Sequence, residues 1–494
     1  MLAAVPARAF DDAVADRALE FARRQVHRTA TNPQLPVTKS PRASNGSGWK
    51  LVSNTDPAGW TRGFFPGLLW LGYEQERTLP WLSAAEGWTR SLEGQKYNTE
   101  AHGTGLEMMS GYGQAYRLTG DAYYRDVLLT AADTLATRFN PRVGVIDCRD
   151  GNDPPRHVAL VTDTMMDLEL LFWAARNGGD PAWNDMALSH ALKTLTDMVR
   201  PDGGTYHVVD YDGSGRVLSR GTLQGSSDNS TWARGQAWAL HGFTLAYRYT
   251  RDPRMLKAAQ KVTEYYLARL PADSVPNWDF NAPANQQQKD SSAAAISASA
   301  LLELSQYVSN PAVAKRYWNA ALAMLDSLSS PAYLASGTNS PGILLHGVAS
   351  YRTKLKPDGE DIDTSLIYGD YYFVEALSRF KRISAGGGYS ALNVPGSVRK
   401  PGAGHTDRRF NHLVRGEQTP SSTAAAGPAP LSSPPGGAQP GELEKPQGLE
   451  FNEPEAREMG GCAAAPGALL ALTAGLMPWV WRRRGAHDVR RPRR

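Results

Sequence analysis

Apolar residues recur at i, i+3, i+4 and i+7 in paired runs through most of this chain, and a short polar turn joins the members of each pair. The clearest pairs are YGQAYRLTGDAYYRDVLLTAADTL (112–135), LLFWAARNGGDPAWNDMALSHALKTL (170–195) and FTLAYRYTRDPRMLKAAQKVTEYYL (243–267). Their turns carry Asp121, Asp180 and Asp252, spaced 59 and 72 residues apart, and SAAAISASALLELSQYVSNPAVAKRYWNAALAML (292–325) suggests a further pair. This period predicts αα-hairpins, each burying its apolar face on the next. Strand signals are few, so the expected class is all-α. Hairpins repeated over roughly 370 residues can close a ring or stack openly. The long polar insertions at 200–231 and 272–292 favour a toroid whose loops at one end build a site.

The most informative insertion reads TYHVVDYDGSGRVLSRGTLQGSSDNSTWARGQAW (205–238) and runs into an apolar helix. It brings together His207, Gln224, Trp232 and Arg234. An indole face stacks on the CH groups of a pyranose, and a guanidinium fork matches a carboxylate with two parallel hydrogen bonds. These groups suit an acidic sugar. The plainer reading is that Trp232 and Arg234 start and pack a helix.

Apolar patterning stops near Ile383. Residues 384–461, rich in Pro, Gly, Ser and Ala, read as a linker unable to bury enough apolar area to order itself. Residues 462–494 hold Cys462, a nineteen-residue apolar run from Ala463 to Trp481 and an arginine cluster. That order of parts reads as a membrane anchor and resembles the sorting signal of myxobacterial surface proteins. At the other end, residues 1–9 read as the remnant of a secretory signal, with Ala7-Arg8-Ala9 as the cleavage site and Phe10 near the mature start. The body, 10–383, is therefore expected outside the cytoplasm and tethered at the cell surface. Net charge is only +4, with the basic excess in the last thirteen residues, so the body offers no nucleic-acid surface. Cys148 and Cys462 lie too far apart for a disulfide framework or a zinc site.

Seven stretches in order carry a family resemblance: WTRGFFPGLLWLGYE (60–74), HGTGLEMMSGYGQAYRLTGD (102–121), TDTMMDLELLFWAARNGGD (162–180), RPDGGTYHVVDYD (200–212), QGSSDNSTWARGQAWALHGF (224–243), WDFNAPANQQQKDSSAAAISASALLEL (278–304) and LIYGDYYFVEALSRFKR (366–382). On these the body resembles glycoside hydrolase family 88, the unsaturated glucuronyl hydrolases. The resemblance implies an (α/α)6 toroid and a substrate ending in a 4,5-unsaturated uronic acid, as polysaccharide lyases leave behind. It implies acid-catalysed hydration of the C4=C5 enol ether, with no metal and no organic cofactor. Asp163 takes the place of the general acid/base, and His207, Gln224, Trp232, Arg234 and Trp60 take places that hold the sugar. Such an acid needs a proton affinity raised towards working pH. Without the family, Asp163 beside Thr162 reads as a helix cap, a role that would lower it.

One departure is marked. Where the family has a second active-site aspartate after the histidine, this chain reads His102-Gly103-Thr104-Gly105-Leu106. Glu107 lies one turn on and is the candidate to replace the lost carboxylate, although an ordinary helix position is the plainer reading. The segment GVIDCRDG (144–151), with Cys148 and Arg149, departs where the family has a stacking tryptophan. Both changes point to altered specificity or a weakened rate, and Gly103→Asp is expected to raise activity. Two rival readings remain: an unsaturated rhamnogalacturonyl hydrolase on the same ring, and a non-catalytic surface protein that keeps the sugar site.

Overall fold

The computed structural model describes residues 10–100, 102–149, 158–352 and 357–386. The segments 1–9 and 387–494, on which the expected signal remnant, nearly all of the expected linker and the expected anchor fall, lie outside the described residues. Among those described, no helix is long and apolar enough to cross a membrane.

The helices alternate between an outer and an inner ring. The outer ones are α1 (Asp12–Ala30), α3 (Leu79–Arg90), α6 (Ala122–Ala136), α8 (Ala182–Asp197), α10 (Pro253–Leu267) and α12 (Pro311–Leu328). The inner ones are α2 (Phe64–Glu76), α4 (Thr104–Met108) running through a π-turn into α5 (Gln114–Thr119), α7 (Leu168–Ala174), α9 (Ala233–Thr250), α11 (Ser291–Leu304) and α13 (Ile367–Ser384). Each inner helix packs on the next, and α13 returns to α2, so the ring closes.

Patterning explains the two layers. Outer helices bury one stripe; α12 buries Tyr317, Ala321, Met324, Leu325 and Leu328. The inner α11 is buried on every side, and its run SSAAAISASALLEL is small enough to sit tightly between α9 and α13. The turns work as the sequence suggests. Asp121 and Asp252 cap α6 and α10 by accepting the Tyr123 and Arg254 N–H groups, and Asp180 accepts that of Ala182.

Strict alternation makes the inner helices parallel, so all their N-termini face one end. Connections at the other end are short, as at 77–78, 120–121 and 251–252, whereas those entering the inner helices are long, as at 31–63, 137–167, 198–232 and 329–366. The all-α expectation holds for the ring and needs correction for these loops. They pair into antiparallel ribbons, Lys39–Ser44 with Trp49–Ser53, Phe139–Asn140 with Val145–Ile146, and Gly347–Ser350 with Glu360–Thr364, and into one three-stranded sheet, Val158–Val161, Val208–Tyr211 and Val217–Gly221. Strands of two to six residues leave too little alternation to read from sequence.

Candidate active site

The three-stranded sheet brings the chemistry together. Its antiparallel register sets Val161 opposite Val208 and Val208 opposite Gly221. The residues just beyond each strand end therefore meet: Thr162 donates its N–H to the His207 carbonyl, and His207 donates its own to that of Gly221. Asp163 and His207 become neighbours, with Asp163 Oδ2 3.6 Å from His207 Nε2. The 222–224 turn closes over the imidazole, and the N–H groups of Leu223 and Gln224 both point at His207 Nδ1, at 3.2 and 3.3 Å. Two donors on Nδ1 make it the unprotonated nitrogen, so Nε2 carries the hydrogen and turns it to Asp163.

From His207 the wall continues without a break. His207 stacks on Trp232 with ring centroids 4.3 Å apart. The Arg234 guanidinium lies over Trp232 at 4.4 Å and faces Tyr368 at 5.2 Å. Tyr368 leans on Trp60 at 5.1 Å, and Trp60 closes on Gly103. The six residues singled out in the sequence thus share one end of the ring, where the inner helices present their N-termini. Partial positive charge gathers there.

Arg234 is committed more deeply than sequence suggests. Nη1 donates to Asp290 Oδ2 at 2.9 Å and to the Val348 carbonyl, Nη2 donates to that of Ala349, and only Nε is left without a partner. Asp290 itself caps α11 through Ser292. Gln224 donates its side-chain N–H to the same Ala349 carbonyl. Both side chains brace the 347–350 strand against the wall.

Asp163 does not cap a helix. It sits in the single 3-10 turn Thr162–Met166, whose cap residue Val161 makes no side-chain bond, and its own oxygen accepts from Thr162 Oγ1 at 3.2 Å. Its proton affinity departs from expectation. Burial pushes the carboxyl up, but His207, then His102 and Arg234, outweigh it and hold the carboxyl below the usual aspartate range. With glycine at 103, the chain places no carboxylate at that position beside Asp163.

Glu107 does not replace the lost group. It is buried in an ion pair with Arg62, with Nε to Oε1 and Nη2 to Oε2 both at 2.8 Å. Gly103 needs no left-handed backbone, its φ being −9°. It is required by close approach, because a Cβ there would stand 2.7 Å from Trp60 Cβ. Cys148 is buried against Ala159 and Val161 behind the sheet, where burial pushes its thiol well up, and Arg149 pairs with Asp147. Sequence reading passed over His102, Asp167, Asp290 and Tyr368. Asp290 and Tyr368 had one legible signal, their places at the starts of apolar helices in the stretches KDSSAAA and LIYGDYY.

A carboxylate, two imidazoles and stacked aromatic rings at the electropositive end of a helical ring define a site for an anionic saccharide. Comparison with known proteins agrees. The profile of Glycosyl Hydrolase Family 88 matches residues 37–338. The unsaturated glucuronyl hydrolase of Formosa agariphila is 41% identical over 336 residues, covering 67% of this chain and 82% of that protein. The unsaturated chondroitin disaccharide hydrolase of Streptococcus pneumoniae is 33% identical over 341 residues, covering 67% of this chain and 83% of that protein. The crystal structure of an unsaturated glucuronyl hydrolase specific for heparin superposes with a TM-score of 0.70 at 37% identity, covering 76% of this chain and 99% of that one. The chain belongs to glycoside hydrolase family 88, and it is a glycoside hydrolase.

Proposed function

We propose that Asp163 is the general acid/base with which this protein hydrolyses saccharides ending in an unsaturated uronic acid. The reaction is that of its relatives, and they favour neither the rhamnogalacturonyl type nor a non-catalytic binder. One observation carries the assignment to Asp163. Its side chain is 20% exposed, whereas Asp290, Asp167 and Glu107 are at most 2% exposed, and Asp290 and Glu107 are tied to arginines. Of these four carboxylates, Asp163 alone is both open and free of an arginine ion pair.

The Asp163 carboxyl gives its proton to C4 of the enol ether, and positive charge develops at C5. Water adds to C5 while the Asp163 carboxylate takes up its proton, and the resulting hemiketal opens and releases the neighbouring sugar. His207, His102 and Arg234 hold the proton affinity of Asp163 low in the free protein. A substrate carboxylate seated at the helix N-termini brings a like charge beside Asp163 and raises its proton affinity at the moment of need. Trp60 supplies a stacking face, Trp232 backs the His207 ring, and Arg234 supplies charge from behind and fixes the wall. Glycine at 103 supports a slower rate than a member with a carboxylate there. The sequence of 462–494 supports action at the cell surface.

Incubation of the full chain with lyase-digested glycosaminoglycan tests this reading. The ultraviolet absorbance of the unsaturated uronate is expected to disappear with the parent and to persist with Asp163→Asn. Persistence with the parent, alongside demonstrable ligand binding, would make the protein a binder.

A further inference from the structure

One buried carboxylate beside the site has no part in the steps above. Asp167 lies one turn beyond Asp163 and is 1% exposed. Its Oδ1 accepts the Leu106 N–H at 2.9 Å, and its Oδ2 lies 3.5 Å from His102 Nδ1. Thr164 Oγ1 stands at the same 3.5 Å from that nitrogen. The two oxygens of Asp167 therefore grip the chain on both sides of Gly103. Glu107, the other carboxylate under this loop, has its charge met by Arg62. Asp167 has no Arg or Lys within ion-pair distance among the described residues; the imidazole of His102 stands at that distance, and Glu107 is a like-charged neighbour. A buried carboxylate is retained only where hydrogen bonds or a partner offset its desolvation. Here the partners are one backbone N–H and one ring nitrogen.

His102 is 12% exposed, so its ring reaches the site from beside Gly103. It lies close enough to Asp163 to help hold that carboxyl low. We infer that Asp167 is a positioning residue for the hydrolysis: it fixes His102 with Nδ1–H turned inward, so that Nε2 is the nitrogen offered to the saccharide. This carboxylate–imidazole pair takes over the substrate-holding place that a carboxylate at 103 would fill. The inference rests on Asp163 as the acid/base.

Asparagine at 167 separates fold from chemistry. Its amide oxygen still accepts the Leu106 N–H, so the loop stays fastened. Its NH2 then faces His102 Nδ1, which must become the acceptor, and the ring's proton moves to Nε2. Steady-state kinetics of the full chain on an unsaturated disaccharide compare Asp163→Asn, Asp167→Asn, His102→Gln and the double variant Asp167→Asn/His102→Gln, each checked by thermal unfolding. Asp167→Asn is expected to melt close to the parent and to lose about tenfold to a hundredfold in kcat, as when other groups that orient a histidine are removed. His102→Gln is expected to lose a similar factor, and the double variant no more than either alone, because both changes remove one unit. Losses that multiply in the double variant would overturn the pairing, as would parent-like kcat in Asp167→Asn beside an inactive Asp163→Asn. Should Asp167→Asn not fold, His102→Gln must still show the loss, and parent-like kcat there overturns the inference. Retained turnover in Asp163→Asn would instead remove the acid/base reading on which it rests.

Discussion

The two sides of the site use the same pairing chemistry to different ends. On the side built by residues 205–234, the buried pair Arg234–Asp290, 2.9 Å apart, stands directly behind the stacked faces of Trp232 and Tyr368. On the side built by residues 60–63 and 102–107, the buried pair Arg62–Glu107, 2.8 Å apart, lies beneath the loop, and the surface is left to Trp60, His102 and a glycine. Each pair fastens a long loop to the start of an inner helix, yet only the first stands behind the His207–Trp232 stack that adjoins Asp163. Counting acidic and basic residues therefore misjudges this site. The proposed acid/base, Asp163, differs from Asp290 and Glu107 in being partly exposed and in having no arginine within ion-pair distance.

Asp163→Asn puts this contrast to its hardest test. It is expected to cut kcat by about 10²–10⁴, the range for loss of a general acid/base, while calorimetry still detects ligand binding. A kcat within a few-fold of the parent would move the chemistry to another group. Next come the two arginines. Arg234→Ala and Arg62→Ala each strand a buried carboxylate and are each expected to cost about 3–5 kcal/mol of stability, read from denaturant midpoints. They should part in ligand affinity. Measured at a temperature where both remain folded, Arg234→Ala weakens binding and Arg62→Ala leaves it nearly unchanged; equal losses would erase the distinction between the sides.

The expectation that Gly103→Asp raises activity is reversed by the packing. Any Cβ at 103 meets Trp60 Cβ at 2.7 Å, and Trp60 is itself held by Tyr368 and Phe64. Gly103→Ala is expected to cost about 1–3 kcal/mol as overpacking, and Gly103→Asp to reduce turnover further by displacing Trp60. A Gly103→Asp protein faster than the parent would show that the Trp60 side yields. The smallest effect is in the pH profile. If Asp163 is the acid, it must be protonated to act, and because its affinity is depressed in the free protein, activity is expected to fall as pH rises. The bound uronate raises that affinity, so the alkaline limb of kcat should lie at higher pH than that of kcat/KM. Coincident limbs would mean that the substrate carboxylate sits away from Asp163.

Much of this was legible in the chain itself. Hairpin turns with Asp121, Asp180 and Asp252 are local events, set by apolar period and by caps reaching two residues ahead, and they appear in the structure where the sequence puts them. That the six candidate residues gather at one end of the ring agrees with their sequence places, because most of them stand at or near starts of inner helices. What the sequence could not carry was which of them are free. Arg234 is occupied by a carboxylate 56 residues away and by carbonyls 114 and 115 residues away, Glu107 by an arginine 45 residues back, and Gly103 is confined by Trp60. The sheet that joins Asp163 to His207 was missed because four-residue strands show no period. Local propensity thus determined the hairpins, and the residue types of the 205–238 insertion pointed to the kind of ligand, while closure of the ring rested on the family resemblance. Tertiary structure alone decided the charge and reach of each group, since desolvation, ion pairing and steric contact depend on residues that meet only when the ring has closed.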